Sequence, residues 1–581
     1  MHRYKTASTR LYIVISLVLI GNVAFSQNPL SIPPALTGTT FNLNIQNGTI
    51  QFWPGINTPT YGINGNILGP TLIVNKWDWV TMNVTNNLTG FGNSTTIHWH
   101  GMHVPAMDDG GPHMIIPQGT TWSPDFQILN DAGTFWYHPH GVGKTDLHVA
   151  RGIAGFLLVK DSAEAQLNLP RTYGIDDFPL VVQTKAFDVL NQIAIATEFD
   201  TLVLANATPH AYLDAPAQII RLRLLNGSSM RVFNFGFTNN HPFKMIASDG
   251  GLLDSAINLT RIRLAPGERA EILIDLNGMQ GQTIFLKSFS SELPNGIYGT
   301  ANLTGMMGAT IPDYDLNPLN GADFDILQLN VVAQTGNPVT IMPTALTVNN
   351  PITSFSSIRA FTLSPVNMNP LDMLIGPFSI NGTVFNMNVI NETVYLNSAE
   401  KWRIDNSTSI AHPFHIHDIQ FYVDNINGGP VPPQLQGKKD VVLVMPGQYV
   451  DVIAKFEDFA DDSIPYMYHC HMLHHEDDGM MGSFVVVDTN ASTGIAPISN
   501  YAEQGIIAFP NPVHDALSIK FQNTISNAEL TISNVLGEII HKQKINNTNN
   551  TNLDVEAFES GLYFIAIKTS NTNAIIKFIK Q

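Results

Sequence analysis

One strand–turn–strand phrase is written three times along this chain: VTMNVTNNLTGFGNSTTIHWHGMHV (80–104), RLRLLNGSSMRVFNFGFTNNHPFKM (221–245) and KWRIDNSTSIAHPFHIHDIQFYV (401–423). Each copy opens on a strand of period-two alternation, passes through a turn containing asparagine and resumes as an apolar strand. A Pro/Gly turn leading into a further strand follows each one, as IPQGTTWSPDFQI from Ile116, LAPGERAEILIDL from Leu264 and VMPGQYVDVIAKF from Val444. A repeat of roughly 150 residues built from short strands predicts three related β-sandwich domains. The 35 prolines and 44 glycines supply the turns such a chain needs. The predicted domains span 28–162, 168–312 and 320–490.

The two ends read differently. Residues 1–26 carry a basic start (Arg3, Lys5, Arg10), an apolar run from Leu11 to Ala24 and a small-residue exit at Ala24-Phe25-Ser26. That is the pattern of a secretory signal peptide cut before Gln27, and its apolar core is short for a membrane span. No later stretch is long and apolar enough to cross a bilayer as a helix, so the mature chain is expected to be exported without a membrane segment. Residues 498–581 form a separate small β domain, with IIAFPNPVHDALSIKF at its start and GLYFIAIKTSNTNAIIKFIKQ at its end. The formal charge of −18 argues against nucleic acid and anionic lipid as partners.

Histidine is concentrated in four short motifs: His98 and His100 in HWH, His138 and His140 in YHPH, His412, His415 and His417 in HPFHIH, and His469, His471 and His475 in HCHMLHHEDDGM. On a strand, residues i and i+2 share a face, so each His-x-His sets two imidazoles side by side. Four such pairs suffice for a centre of several metal ions. The motifs lie in the first and third copies; the second keeps His241-Pro242-Phe243 but has Lys244 where the third has His415.

The single cysteine, Cys470, stands between His469 and His471. One cysteine forms no internal disulfide even in an exported protein. The same alternation that turns His469 and His471 to one face turns Cys470 to the other, where His412, His475 and Met480 can join it. Two imidazoles, a thiolate and a weak thioether make the ligand set of a blue-copper site. Zinc also accepts His and Cys, but a redox-inert ion gives no reason for the thioether or for the direct covalent link to the histidine cluster.

HWHG, YHPH, HPFHIH and HCHMLHHEDDGMM resemble the four copper motifs of the multicopper oxidases. The likeness runs through all three repeats and is strongest to the bacterial laccase, copper-efflux oxidase and bilirubin oxidase group. It implies an all-β fold of three cupredoxin-like Greek-key sandwiches and four copper ions. These are a type 1 copper on His412, Cys470, His475 and Met480, a type 2 copper on His98 and His415, and a type 3 pair on His100, His138, His140, His417, His469 and His471. No ligand position is missing. The implied reaction is one-electron oxidation of a donor coupled to four-electron reduction of dioxygen to water, with Cys470 as the electron relay and Asp109 and Glu476 in the places of the proton-relay acids.

The third repeat carries no long Met/His-rich insert: the segment LSPVNMNPLDMLIGPF holds only Met368 and Met373, read as core filler. An uncovered type 1 site favours phenols or aromatic amines as donors. A cuprous oxidase serving copper tolerance is the alternative, and a copper-binding protein without catalysis the third reading. The C-terminal segment resembles the sorting domains of the type IX secretion system, which implies passage through the periplasm to the medium or the cell surface.

Overall fold

The computed structural model describes residues 27–90, 93–489, 506–534, 537–568 and 573–581; the signal-peptide reading falls on residues 1–26, outside them. The chain divides into two compact units, one ending at Asp488 and one beginning at Thr489.

Three buried asparagines show what the repeat encodes. Asn86, Asn226 and Asn406 end the first strand of their copies, and none is more than 2% exposed. Each side-chain amide donates twice at 2.8–2.9 Å: Asn86 to the carbonyls of Asn93 and Ile116, Asn226 to Arg231 and Leu264, Asn406 to Ile410 and Val444. Each side-chain oxygen accepts the backbone N–H two residues on, from Leu88, Ser228 and Thr408. Their backbone carbonyls accept from Gly119, Gly267 and Gly447 of the three Pro/Gly turns. An asparagine at this place ties two turns and a strand end together, and only an amide offers both the donors and the acceptor.

The alternation of the strands then sets the cores. Trp79–Asn86 and Ala399–Asn406 bury every second side chain, Val80, Met82 and Val84 in one and Trp402 and Ile404 in the other. In the first sandwich Thr40–Trp53 pairs parallel with Trp79–Asn86, and across the core Thr71–Asn75, Gly155–Lys160, Gly133–His138 and His98–His100 lie in that order. In the third, Ser357–Pro365 pairs parallel with Ala399–Asn406, facing a sheet ordered Glu392–Tyr395, Met481–Val487, Asp461–Cys470, His412–Ile416, Val441–Val444. Two stacked sheets with parallel and antiparallel neighbours are the mark of Greek-key rather than simple hairpin connection.

The middle sandwich differs from the sequence reading in two respects. Its extent is larger than 168–312: strand Asp323–Val332 pairs parallel with Ala211–Pro216 and antiparallel with Thr283–Phe289, and Asn349 still bonds to Asp254. A third-domain boundary at 320 therefore falls inside the middle sandwich, and the third sandwich proper begins at Ser357–Pro365. Asn28–Pro29, assigned by sequence to the first domain, also pairs with Ala211–Pro216. Secondly, Ile219–Asn226 is buried on both faces. Arg221 and Arg223 do not meet solvent but bond to Glu164, Glu271 and Asp177. The first sandwich covers that face, with Thr134 bonding to both Arg223 and Glu271.

The unit from Thr489 is described from Ile506 onward. Its three-stranded and four-stranded sheets enclose a core of its own that includes Leu517, Ile519, Leu530, Ile532, Ile565 and Phe578.

Candidate metal centre

Register brings the histidine motifs together. His98–His100 lies antiparallel to Gly133–His138 with His98 opposite His138, and His412–Ile416 lies antiparallel to Asp461–Cys470 with His415 opposite His469. The residues between the paired histidines, Trp99 and Ile416, point the other way into the cores of their own sandwiches. All eight imidazoles of His98, His100, His138, His140, His415, His417, His469 and His471 are at most 1% exposed.

Their nitrogens converge in small groups. The Nε2 atoms of His140, His417 and His469 stand 3.0, 3.1 and 3.3 Å from one another. His100 Nδ1 stands 3.3 Å from His138 Nε2 and 3.2 Å from His471 Nε2. The Nε2 atoms of His98 and His415 are buried with no protein partner. Nitrogens at about 2.0 Å from a metal ion and tetrahedral angles stand about 3.3 Å apart, the spacing seen here. Burial, then the neighbouring rings, holds His100, His138, His140, His415, His417 and His471 well below the usual histidine range, so they present lone pairs. Orphaned nitrogens and facing lone pairs are a donor set for cations.

Outer hydrogen bonds choose which nitrogen faces inward. His98 Nδ1 donates to the Asp109 carbonyl (2.9 Å), His138 Nδ1 to Pro139 (2.8 Å) and His415 Nδ1 to Asp440 (2.7 Å). His417 Nδ1 donates to the Asp109 carboxylate at 2.8 Å. Glu476 reaches two rings, with its oxygens 3.4 Å from His140 Nδ1 and 3.3 Å from His469 Nδ1. Burial raises the Glu476 carboxyl well above the ordinary range, helped by Asp477. At the neighbouring Asp108, burial together with Asp125 moves the carboxyl up to about 6.

On the opposite face of the Cys470 strand a second group forms. Cys470 Sγ stands 3.4 Å from His412 Nδ1 and 3.6 Å from His475 Nδ1. Met480 is fully buried in the same core, its backbone bonded to Cys470 and His475. Burial pushes the Cys470 thiol up and drops His412 to about 3, so a thiolate here calls for a cation beside it. The His469 Nδ1–H donates to the Cys470 carbonyl at 3.0 Å, a second link between the two groups besides the peptide bond. His474, beside His475, pairs with Asp478 at 3.5 Å, away from the thiol.

The Cys470 group, expected to be an uncovered type 1 site, is covered. His475 is 1% exposed, and Phe378 packs edge-on against both His412 and His475, ring centroids 4.7 Å from each. Segment 372–390 contributes this lid, with Val384 against Gly479. Met373 is buried as read, but Met368 is 81% exposed, as are Met306 (56%) and Met307 (93%). Ser409, on the loop before His412, joins two of these segments: its N–H donates to the Met373 carbonyl and its hydroxyl oxygen accepts from the Met306 N–H at 3.4 Å.

The sequence reading missed Asp440 and Arg269. Arg269, from the middle sandwich, makes a two-pronged pair with Asp440 at 2.5 and 2.6 Å, and Asp440 in turn accepts from His100 Nε2 at 3.1 Å. The sole sequence signal was a charged pair, Lys439-Asp440, at the head of the otherwise apolar strand VVLV.

A fold of cupredoxin-like sandwiches with this donor set defines a copper oxidase, and comparison with known proteins agrees. Multicopper oxidase family models match residues 44–164, 214–302 and 354–490, and a secretion system C-terminal sorting domain matches 507–581. The multicopper oxidase mco of Staphylococcus haemolyticus is 35% identical over 457 residues, covering 77% of this chain and 88% of its own. The cell division protein FtsP of Sodalis glossinidius is 29% identical over 501 residues, 83% of this chain and 98% of its own. Among solved structures, a bacterial laccase-like multicopper oxidase, CueO from Ochrobactrum sp., is 30% identical with a TM-score of 0.68, over 79% of this chain and 100% of its own. The chain belongs to the multicopper oxidases, copper-binding oxidoreductases that use dioxygen, and its C-terminal sorting domain marks it for secretion or surface attachment.

Proposed function

We propose that this is an exported four-copper oxidase with the ligands read from the sequence: His412, Cys470, His475 and Met480 for type 1 copper, His98 and His415 for type 2, and His100, His138, His140, His417, His469 and His471 for the type 3 pair. The observation that carries this reading is the convergence of eight buried imidazoles on one face of the Cys470 strand and of a thiol with two imidazoles on the other. Bound copper supplies one-electron acceptance from a donor and the four-electron reduction of dioxygen to two waters. The protein places these centres next to each other through Cys470 and its two flanking histidines. Glu476 stores a proton against His140 and His469, and Asp109 stands against His98 and His417 as the second proton carrier. FtsP shows that this scaffold also serves a protein named for cell division, and the complete donor set here is what supports catalysis.

Phenols or aromatic amines are the first donor reading; the Ochrobactrum protein is described as acting on lignin model compounds. Through the closed lid, their electrons cross the Phe378 layer to His475. A cuprous oxidase is the second reading, favoured by the exposed thioethers of Met306, Met307 and Met368, soft groups suited to Cu(I), of which Met306 bonds through its backbone N–H to Ser409 on the loop before His412. Dioxygen uptake by copper-loaded protein separates the two. On the first reading a phenol sustains turnover and Met306→Leu/Met368→Leu changes nothing. On the second, Cu(I) exceeds the phenol and the double variant loses roughly tenfold. No uptake with either donor refutes the enzyme. The C-terminal unit is proposed to engage the type IX machinery after periplasmic transit.

A further inference from the structure

Seven of the eight clustered histidines turn Nε2 inward, and His100 alone turns Nδ1 inward. A neutral imidazole has one N–H and one lone pair, so whatever accepts the N–H decides which nitrogen is left for a metal. At His100 the acceptor is Asp440 Oδ1, 3.1 Å from Nε2. The backbone carbonyl of the same residue accepts from His415 Nδ1 at 2.7 Å. The rings of His100 and His415 lie stacked, centroids 3.9 Å apart and 8° from parallel, so one residue holds both from one side.

Asp440 is in turn held in place from the sandwich that contributes no histidine. Arg269 gives it Nη1–H and Nη2–H. The remaining donors of Arg269 go to the carbonyls of Thr134, Gly267 and Asp249, so all five are used in a side chain with no solvent exposure. The chain next to His100 makes room for this pair. Gly101 has φ +78°, and a Cβ there would stand 2.3 Å from Asp440 Oδ2 and 2.8 Å from Arg269 Nη2.

We propose that Asp440, clamped by Arg269, is the positioning residue that reverses His100 and fixes His415, setting the ring orientation at a type 3 and at the type 2 copper position together. This rests on the ligand assignment proposed above. The middle sandwich thereby acts on the centre without supplying a ligand to it.

Two variants of the full copper-loaded chain test this: Asp440→Ala and Asp440→Asn. Asparagine keeps an acceptor for His100 and the carbonyl for His415 but opposes an amide N–H to Arg269, so it separates the hydrogen bond from the ion pair. Copper per chain after dialysis against a chelator, the blue absorption of the type 1 site and the EPR spectrum of type 2 copper are the readouts. Asp440→Ala removes the acceptor for His100 Nε2 but keeps the backbone carbonyl that holds His415, so it is expected to stay blue and to bind cluster copper about 10–100-fold more weakly, with the type 2 spectrum changed through the loss of neighbouring copper. Asp440→Asn is expected to keep copper and spectrum near wild type. The proposal is overturned if the alanine variant retains wild-type copper content and EPR spectrum, or if the asparagine variant loses as much as alanine. Should alanine give no blue protein, asparagine alone decides: full copper supports the proposal, while cluster loss or a colourless chain assigns Asp440 to the ion pair and refutes it. Failure of the underlying ligand assignment would show separately, as wild-type protein that takes up copper without a blue band.

Discussion

Cys470 has one face and its two neighbours the other, and this single alternation separates what a serine can spoil from what it cannot. In Cys470→Ser the hydroxyl is too hard and weak a ligand for type 1 copper, so the blue absorption should vanish. His469 and His471 keep their backbone places, and roughly three of four coppers should remain by the proposed stoichiometry. Chemically reduced variant should still consume dioxygen, while steady-state oxidation of a phenol or Cu(I) should fail. Near-normal turnover would show that Cys470 is no relay. Asp109→Asn and Glu476→Gln test the other side of the cluster: both keep shape and lose an exchangeable proton, and each should slow dioxygen reduction about 10²-fold with the blue band intact. Full turnover in both would remove the relay. The gathering of these histidines around Cys470, Asp109 and Glu476 was legible because His-x-His alternation and motif position speak locally. Asp440 was not, because its effect is exerted on His100, 340 positions away in sequence, and shows only as a ring turned over.

At the scale of elements, the repeat is a hydrogen-bonding device before it is a hydrophobic pattern. Asn226 occupies the same place as Asn86 and Asn406 but lies in the sandwich that supplies no histidine to the cluster. Asn226→Asp takes away the donors to the Arg231 and Leu264 carbonyls and puts a carboxylate in a site with no exposure. A loss of about 2–5 kcal/mol is expected, read as a lower denaturant midpoint at unchanged slope. An unshifted midpoint would reduce the asparagine to an ordinary turn residue. The sequence displayed the three asparagine turns and the Pro/Gly turns that they bind. It did not display the sandwich membership of Asp323–Val332, since strand pairing to Ala211–Pro216 spans over a hundred residues and the local pattern is that of any strand. Nor did it show burial of Arg221 and Arg223, whose alternation resembles a solvent-facing strand until the carboxylates opposite are known. The lid over His475 escaped for the same reason: nothing in PVNMNPLDMLIGPF announces that Phe378 reaches both ligand rings.

For the whole molecule, the division of labour follows from where the groups sit. Histidines come from the first and third sandwiches and Arg269 from the second, so the centre needs all three, and no shorter piece of the chain to Asp488 should hold it. The unit beginning at Thr489 is a different matter. It has a core of its own, and the core clusters of the larger unit draw on no residue beyond Val486. None of the proposed ligands lies in it. Ending the chain at Asp488 should therefore leave copper content and specific activity of purified protein within about twofold of the full chain, because nothing in either metal group is removed. The same truncation should abolish release from the cell and leave the enzyme in the periplasm, since the sorting domain is taken away while residues 1–26, read from the sequence as a signal peptide, stay. Fractionation of expressing cells, with blue absorption and dioxygen uptake measured in each fraction, reads both consequences at once. Release of the truncated chain to the medium would remove the sorting role, and loss of copper from it would mean that the C-terminal unit supports the oxidase itself.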